Sequence, residues 1–131
     1  MPLALGLGLP PRHRPTIGTE LWSSDGATVG SGWTKDGDAF THAGGGGTAT
    51  VNKSIGLQTG ARYRVTFRIT GATAGQLAAV LGGDSNGTAR TANGTYTEDV
   101  QSGADAILSL LPTSDFDGTV DQISVRQVTG G

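Results

Sequence analysis

Histidine occurs twice, as His13 and His42, and cysteine does not occur. Neither histidine has a serine or carboxylate beside it in an order that nucleophilic catalysis uses, so both read as exposed loop or strand-end side chains. Carboxylates are more numerous: Asp36 and Asp38 in "KDGDAF", Asp84 with Asn86 in "GGDSNG", and Asp115, Asp117 and Asp121 in "SDFDGTVD". Oxygen ligands at alternate residues of a turn suit a hard cation such as Ca2+. None of these stretches completes an EF-hand loop with its late glutamate, and Asp or Asn before Gly is an ordinary turn former. The expectation is turn chemistry, with no metal and no cofactor. Glu20 and Glu98 are the only glutamates. Glycoside hydrolysis needs two acids facing each other across a cleft, and nothing in the spacing places them so. The chain is expected to be non-enzymatic.

Three further groups could bind rather than react. Trp22 and Trp33 are the candidate glycan-binding side chains, since an exposed indole stacks on a sugar ring. Tyr63 and Tyr96 could serve in the same way, although two Trp, two Tyr and three Phe leave few aromatics to spare from a core. Arg62, Arg64 and Arg68 form one basic stripe, read as a solvated sheet face. The run Gly44 to Gly47 lacks the Lys-Ser/Thr of a phosphate loop and reads as a flexible turn or a close crossing of backbones.

The elements that must position these residues are strands. In "ARYRVTFRIT" Tyr63, Val65, Phe67 and Ile69 share one face, with Arg and Thr on the other, the period of a half-buried antiparallel strand. "GTYTEDV" puts Tyr96, Glu98 and Val100 on one face, and "AILSLLP" reads as a core strand. In "GTVDQISVRQV" the apolar phase changes between Val120 and the pair Ile123 and Val125, which predicts a β-bulge near Asp121 or Gln122. No window carries a helical period. About eight short strands between DG, TG, GG and NG turns predict an all-β, antiparallel jelly-roll β-sandwich preceded by an extended N-terminal arm. Its core should hold Tyr63, Val65, Phe67, Ile69, Leu108, Leu110, Ile123 and Val125. The expected divisions are an arm at 1–18, the sandwich at 19–128 and a flexible end at 129–131.

Composition agrees with one light domain: 131 residues, 23 glycines and 15% charged residues. A net charge of −2 and a pI near 5.5 provide no field to gather nucleic acid. The opening "MPLALGLGLPPRHRP" is unlike a secretory signal, because Arg12 and Arg14 follow the apolar run, and it is too short to span a bilayer. Neither nucleic-acid binding nor membrane insertion is expected. What the opening does show is leucine at every second position, Leu3, Leu5, Leu7 and Leu9, closed by Pro10 and Pro11.

The stretch from Leu21 to Thr70, then "NGTYTEDV" and "AILSLLPTSDFDGTVDQISVRQV", resembles the carbohydrate-binding-module-like jelly-roll domains of phage structural proteins. "GARYRVTFRIT" and "FDGTVDQISVRQV" carry most of the likeness. The resemblance implies a virion structural protein, assembled in the host cytoplasm: a head or tail fibre, spike or capsid decoration, commonly oligomeric and here expected to be a homotrimer. A free-standing module recognising a surface glycan is the alternative. In the first reading Leu3, Leu5, Leu7 and Leu9 bind a capsid or tail protein by strand addition or groove insertion, with Arg12 and Arg14 meeting acidic groups on its rim. Burying four leucines contributes about 6–12 kcal/mol before ordering costs.

Overall fold

The structure, a computed structural model, describes residues 15–83 and 85–130. Leu3, Leu5, Leu7, Leu9, Arg12, His13 and Arg14 lie outside these residues, as does Asp84. Eleven strands follow in order: β1 (Pro15–Ile17), β2 (Thr28–Val29), β3 (Trp33–Asp36), β4 (Ala39–His42), β5 (Val51–Ser54), β6 (Arg62–Ala74), β7 (Leu77–Leu81), β8 (Ser85–Asn86), β9 (Gly94–Gln101), β10 (Ile107–Pro112) and β11 (Asp117–Gly130). No helix occurs among the described residues. One sheet has the order β9-β6-β11-β4-β3, with β1 also on β11; the other has the order β2-β5-β10-β7-β8. All pairings are antiparallel, and the chain crosses between sheets at every step except β3 to β4 and β7 to β8. That crossing makes the fold a jelly-roll β-sandwich.

The two-residue period decides what lies between the sheets. Tyr63, Val65, Phe67 and Ile69 of β6 are buried, as are Leu108 and Leu110 of β10 and Val120 and Val125 of β11. Ile123 packs half-buried against them. Full burial of such side chains is worth about 1.5–3 kcal/mol each. Pairing Val120 with Ile69 and Val125 with Val65 requires the register to slip, and it does so between Asp121 and Ser124. This is the expected bulge, and Gln122 sits in it with φ of 52°.

The outward face of β6 is more interlocked than a merely solvated stripe. Arg64 forms a two-pronged pair with Asp99 on β9 (2.8 and 3.1 Å), and Arg68 another with Asp121 on β11 (2.8 and 2.6 Å). Thr66 bonds Thr97 across the strands at 3.0 Å, and Thr41 bonds Thr119 at 2.9 Å. These cross-strand pairs join neighbouring strands of one sheet.

Two expected boundaries move. An arm at 1–18 and a flexible end at 129–131 are expected, yet Pro15–Ile17 pairs with Val128–Gly130. Proline is tolerated because β1 is a short edge strand. Both described ends therefore leave the sandwich at one pole, beside Arg62, which is also paired with Val128. The opposite pole carries Ala74, Gly75 and Asp115, roughly 40 Å away along the thirteen residues of β6 at 3.3 Å each. The four-glycine run proves to be a close crossing: a Cβ on Gly32 would collide with the Gly46 carbonyl.

His42 corrects the reading of an exposed histidine. It is fully buried at the end of β4, with Nδ1 2.6 Å from the Phe116 carbonyl and Nε2 3.0 Å from that of Gly47. Its ring packs between Trp33 and Phe116, centroids 4.9 and 5.9 Å away. The imidazole is thus a polar tie between the glycine run and the start of β11. His42→Phe keeps the ring and loses the tie, and should cost about 1–3 kcal/mol in urea denaturation; His42→Ala, which also leaves a cavity, should cost more.

The Arg64 hydrogen bond and charge hold the Asp99 carboxyl below its ordinary value, outweighing partial desolvation, with a smaller contribution from the charge of Arg62. A depressed carboxylate adds stability that is present above its unfolded pKa and lost as pH falls through the folded one. Asp99→Asn should therefore lower the melting temperature slightly at pH 7, and the difference from the parent should vanish in acid below the carboxylate range.

Candidate functional site

The two tryptophans do not share a site. Trp33 is 6% exposed, and its indole N–H donates to the Ala49 carbonyl at 2.8 Å. It belongs to the core and has no free face for a sugar. Tyr63 is buried too, its hydroxyl accepting the Gln58 N–H at 2.8 Å. Tyr96 is half-buried, with the Arg90 guanidinium 4.6 Å above its ring. Trp22 alone of these remains: half-buried, edge-on to Phe40 with centroids 6.1 Å apart, it lines an open notch.

The bulge creates that notch. On one side of it β4 pairs with Gly118–Val120, and on the other the segment after β1 follows the same edge of β11. Gly18 N–H donates to the Gln127 carbonyl, and Leu21 N–H to that of Val125. Between the two partners this edge has no strand partner among the described residues, and Gln122 and Ile123 line the gap. Asp38 closes the rim from the tip of the β3–β4 hairpin, whose first loop residue, Gly37, has the positive φ of 62° that a tight hairpin turn requires. The hollow is about 280 Å3, lined by Trp22, Ser23, Ser24, Asp38, Gln122 and Ile123.

Glu20 sets the position of Trp22. Its carboxylate accepts the N–H of Trp22 at 3.1 Å, the N–H of Val125 at 2.7 Å and the Ser124 hydroxyl at 2.5 Å, with Arg126 3.6 Å away. Nothing in the local sequence marks this role; the strand pairing that brings Glu20 to Val125 spans 105 residues. Asp38 is held by the buried Ser24, whose hydroxyl donates to it at 2.5 Å. Glu98 lies elsewhere, on β9, separated from β11 by β6, and accepts the Thr88 N–H. The two glutamates therefore form no catalytic pair.

Three aspartates of the suspected turns have side-chain partners: Asp115 takes the Thr113 hydroxyl, Asp38 that of Ser24, and Asp121 pairs across the strands with Arg68. Among the described residues no three of His, Asp and Glu come together as metal ligands. No described helix is long and apolar enough to cross a membrane.

The fold and notch define a jelly-roll β-sandwich with one small polar recess against an aromatic ring. No protein-family profile matches the chain. No curated protein matches it either. Among solved structures, a carbohydrate-binding module described as "CBM4 structure and function" superposes with a TM-score of 0.44 at 20% identity, over 78% of this chain and 78% of that chain.

Gln122 holds a left-handed conformation that favours glycine, so its side chain is kept there at a cost. Gln122→Gly should hold or raise stability, by up to about 1 kcal/mol. Gln122→Val, branched at Cβ, should lower it by about 1–2 kcal/mol. Urea denaturation of both variants checks the pair.

Proposed function

We propose that the chain is a non-catalytic recognition module that binds a sugar unit in the notch of Trp22, Asp38 and Gln122. The observation that carries this reading is a hollow lined by the half-buried Trp22 together with the polar residues Ser23, Asp38 and Gln122. A pyranose presents an apolar C–H face and a ring of hydroxyls. The indole takes the face, the Asp38 carboxylate accepts from hydroxyls, and the Gln122 amide both donates and accepts. At about 280 Å3 the recess falls just below the usual range of ligand sites, about 300–1,000 Å3, which suits one sugar unit rather than a long chain. Glu20 acts here as a positioning residue, through its bond to the Trp22 backbone.

A second reading concerns how the module is carried. The arm joins the body at Pro15, beside Gly130, so an attachment made there leaves the notch and the far pole uncovered. This supports the proposal that Leu3, Leu5, Leu7 and Leu9 anchor the chain to a larger assembly, such as a virion's capsid or tail.

The sugar reading is tested by screening the full chain on a glycan array and titrating any hit by calorimetry. Trp22→Ala and Asp38→Asn should each weaken binding about tenfold or more, close to 1.4 kcal/mol. Near-ultraviolet dichroism from the buried Trp33 reports that the fold is kept. Absence of any glycan hit, or a hit indifferent to both changes, would overturn the reading.

A further inference from the structure

The outer side of the five-stranded sheet holds an apolar trough at the pole away from the described chain ends. Its volume is about 460 Å3, and the half-buried Ala78 and Leu111 and the exposed Ala89 line it beside the buried Leu77 and Pro112. β7 and β10 make the floor, with Ala78 opposite Leu111 and Leu77 opposite Pro112. The segment from Gly87 to Arg90 makes one side, fixed by bonds from Gly87 N–H to Ala79 and between Leu77 and Arg90 in both directions. Among the described residues no charged side chain lines the trough.

We propose that this trough seats the leucine stripe, Leu3 to Leu9, of a second copy of the chain. The inference rests on the arm being an attachment element and names what it attaches to. Apolar character on both sides is the first argument: four leucines at period two expose a surface that needs an apolar seat. Reach is the second. The arm starts from Pro15 at one pole, and the trough lies at the other, roughly 40 Å off along the thirteen residues of β6. Five residues separate Leu9 from Pro15, and those six steps span about 20 Å when fully extended, so a chain cannot seat Leu9 in its own trough and cannot lay the whole stripe there.

Charge is the third argument. Arg12 and Arg14 follow the stripe, and beside the trough, across the shared residues Gln76 and Thr113, lies a polar hollow lined by Asp115. Asp117 stands next to it, packed near Gly44. A stripe seated in the trough with its prolines at the Thr113 end brings both arginines to this acidic rim. The contact is head-to-tail, so copies close into a ring when the rotation allows and otherwise run on as a filament.

The test uses full-length protein in sedimentation and light scattering up to about 100 µM. The parent should associate with rising concentration. A variant with Leu3, Leu5, Leu7 and Leu9 changed to Ser should stay monomeric, as should Ala78→Arg. Ala89→Arg, on the exposed side wall, gives the same block if Ala78→Arg fails to fold. Mixing the serine variant with Ala89→Arg leaves one intact arm and one intact trough per pair, so association should stop at a one-to-one complex. A parent that is monomeric throughout, association that survives Ala89→Arg, or a mixture that gives no complex each overturns the proposal. If Ala89→Arg enters particles normally while the serine variant does not, the attachment reading stands and self-docking fails.

Discussion

The pairing of β6 with β11 governs the rest of the sandwich. β6 alternates without interruption, so its partner must present apolar side chains at matching steps to close the core. β11 has Val120 and Val125 an odd number of residues apart, and both can face inward only if the ladder slips once. The slip falls between Asp121 and Ser124, and its effects spread sideways. β4 can follow β11 only as far as Val120, and the segment from Gly18 to Leu21 takes over from Val125. The recess beside Trp22 is the space left between those two neighbours. A packing requirement of the core thus becomes a concavity on the sheet edge.

The same pairing accounts for the charged groups. Arg64 and Arg68 lie on the outward side of β6 between two strands, and each finds an aspartate on one of them, Asp99 or Asp121. Surface pairs of this kind add little stability individually. What they supply is register: slipping β9 or β11 by one residue would turn the aspartates toward the core and leave the arginines without partners. Glu20 acts in a comparable way at the notch, since its carboxylate takes donors from three residues of two separate segments.

Alternation made β6, β10 and the bulge legible in the sequence, because each follows from the rule that neighbouring side chains in a strand point to opposite faces. The DG turn between β3 and β4 is legible for another local reason, since Asp and Gly suit tight-turn backbone angles. Trp33 and His42 were not, since their burial depends on Ala49, Gly47 and Phe116, which reach them through tertiary packing. Residues Pro15–Ile17 were hidden by composition: a proline-rich segment reads as a separate arm, whereas a three-residue edge strand needs few donors of its own. The recess beside Trp22 is only partly legible, as an aromatic among polar turn residues; Asp38 and Gln122, which line it too, come from segments 16 and 100 residues away.

The placement of Pro15 opposite Gly130 has a mechanical consequence. Two antiparallel strands pulled apart from the same end open like a zipper, one hydrogen bond after another, so little force is needed at any moment. The β1–β11 ladder has three paired residues and no covalent brace. Tension applied between the two ends would peel β1 away before the core strands felt the load. Under a load between its two described ends the body therefore yields first at β1, while the core strands keep their register.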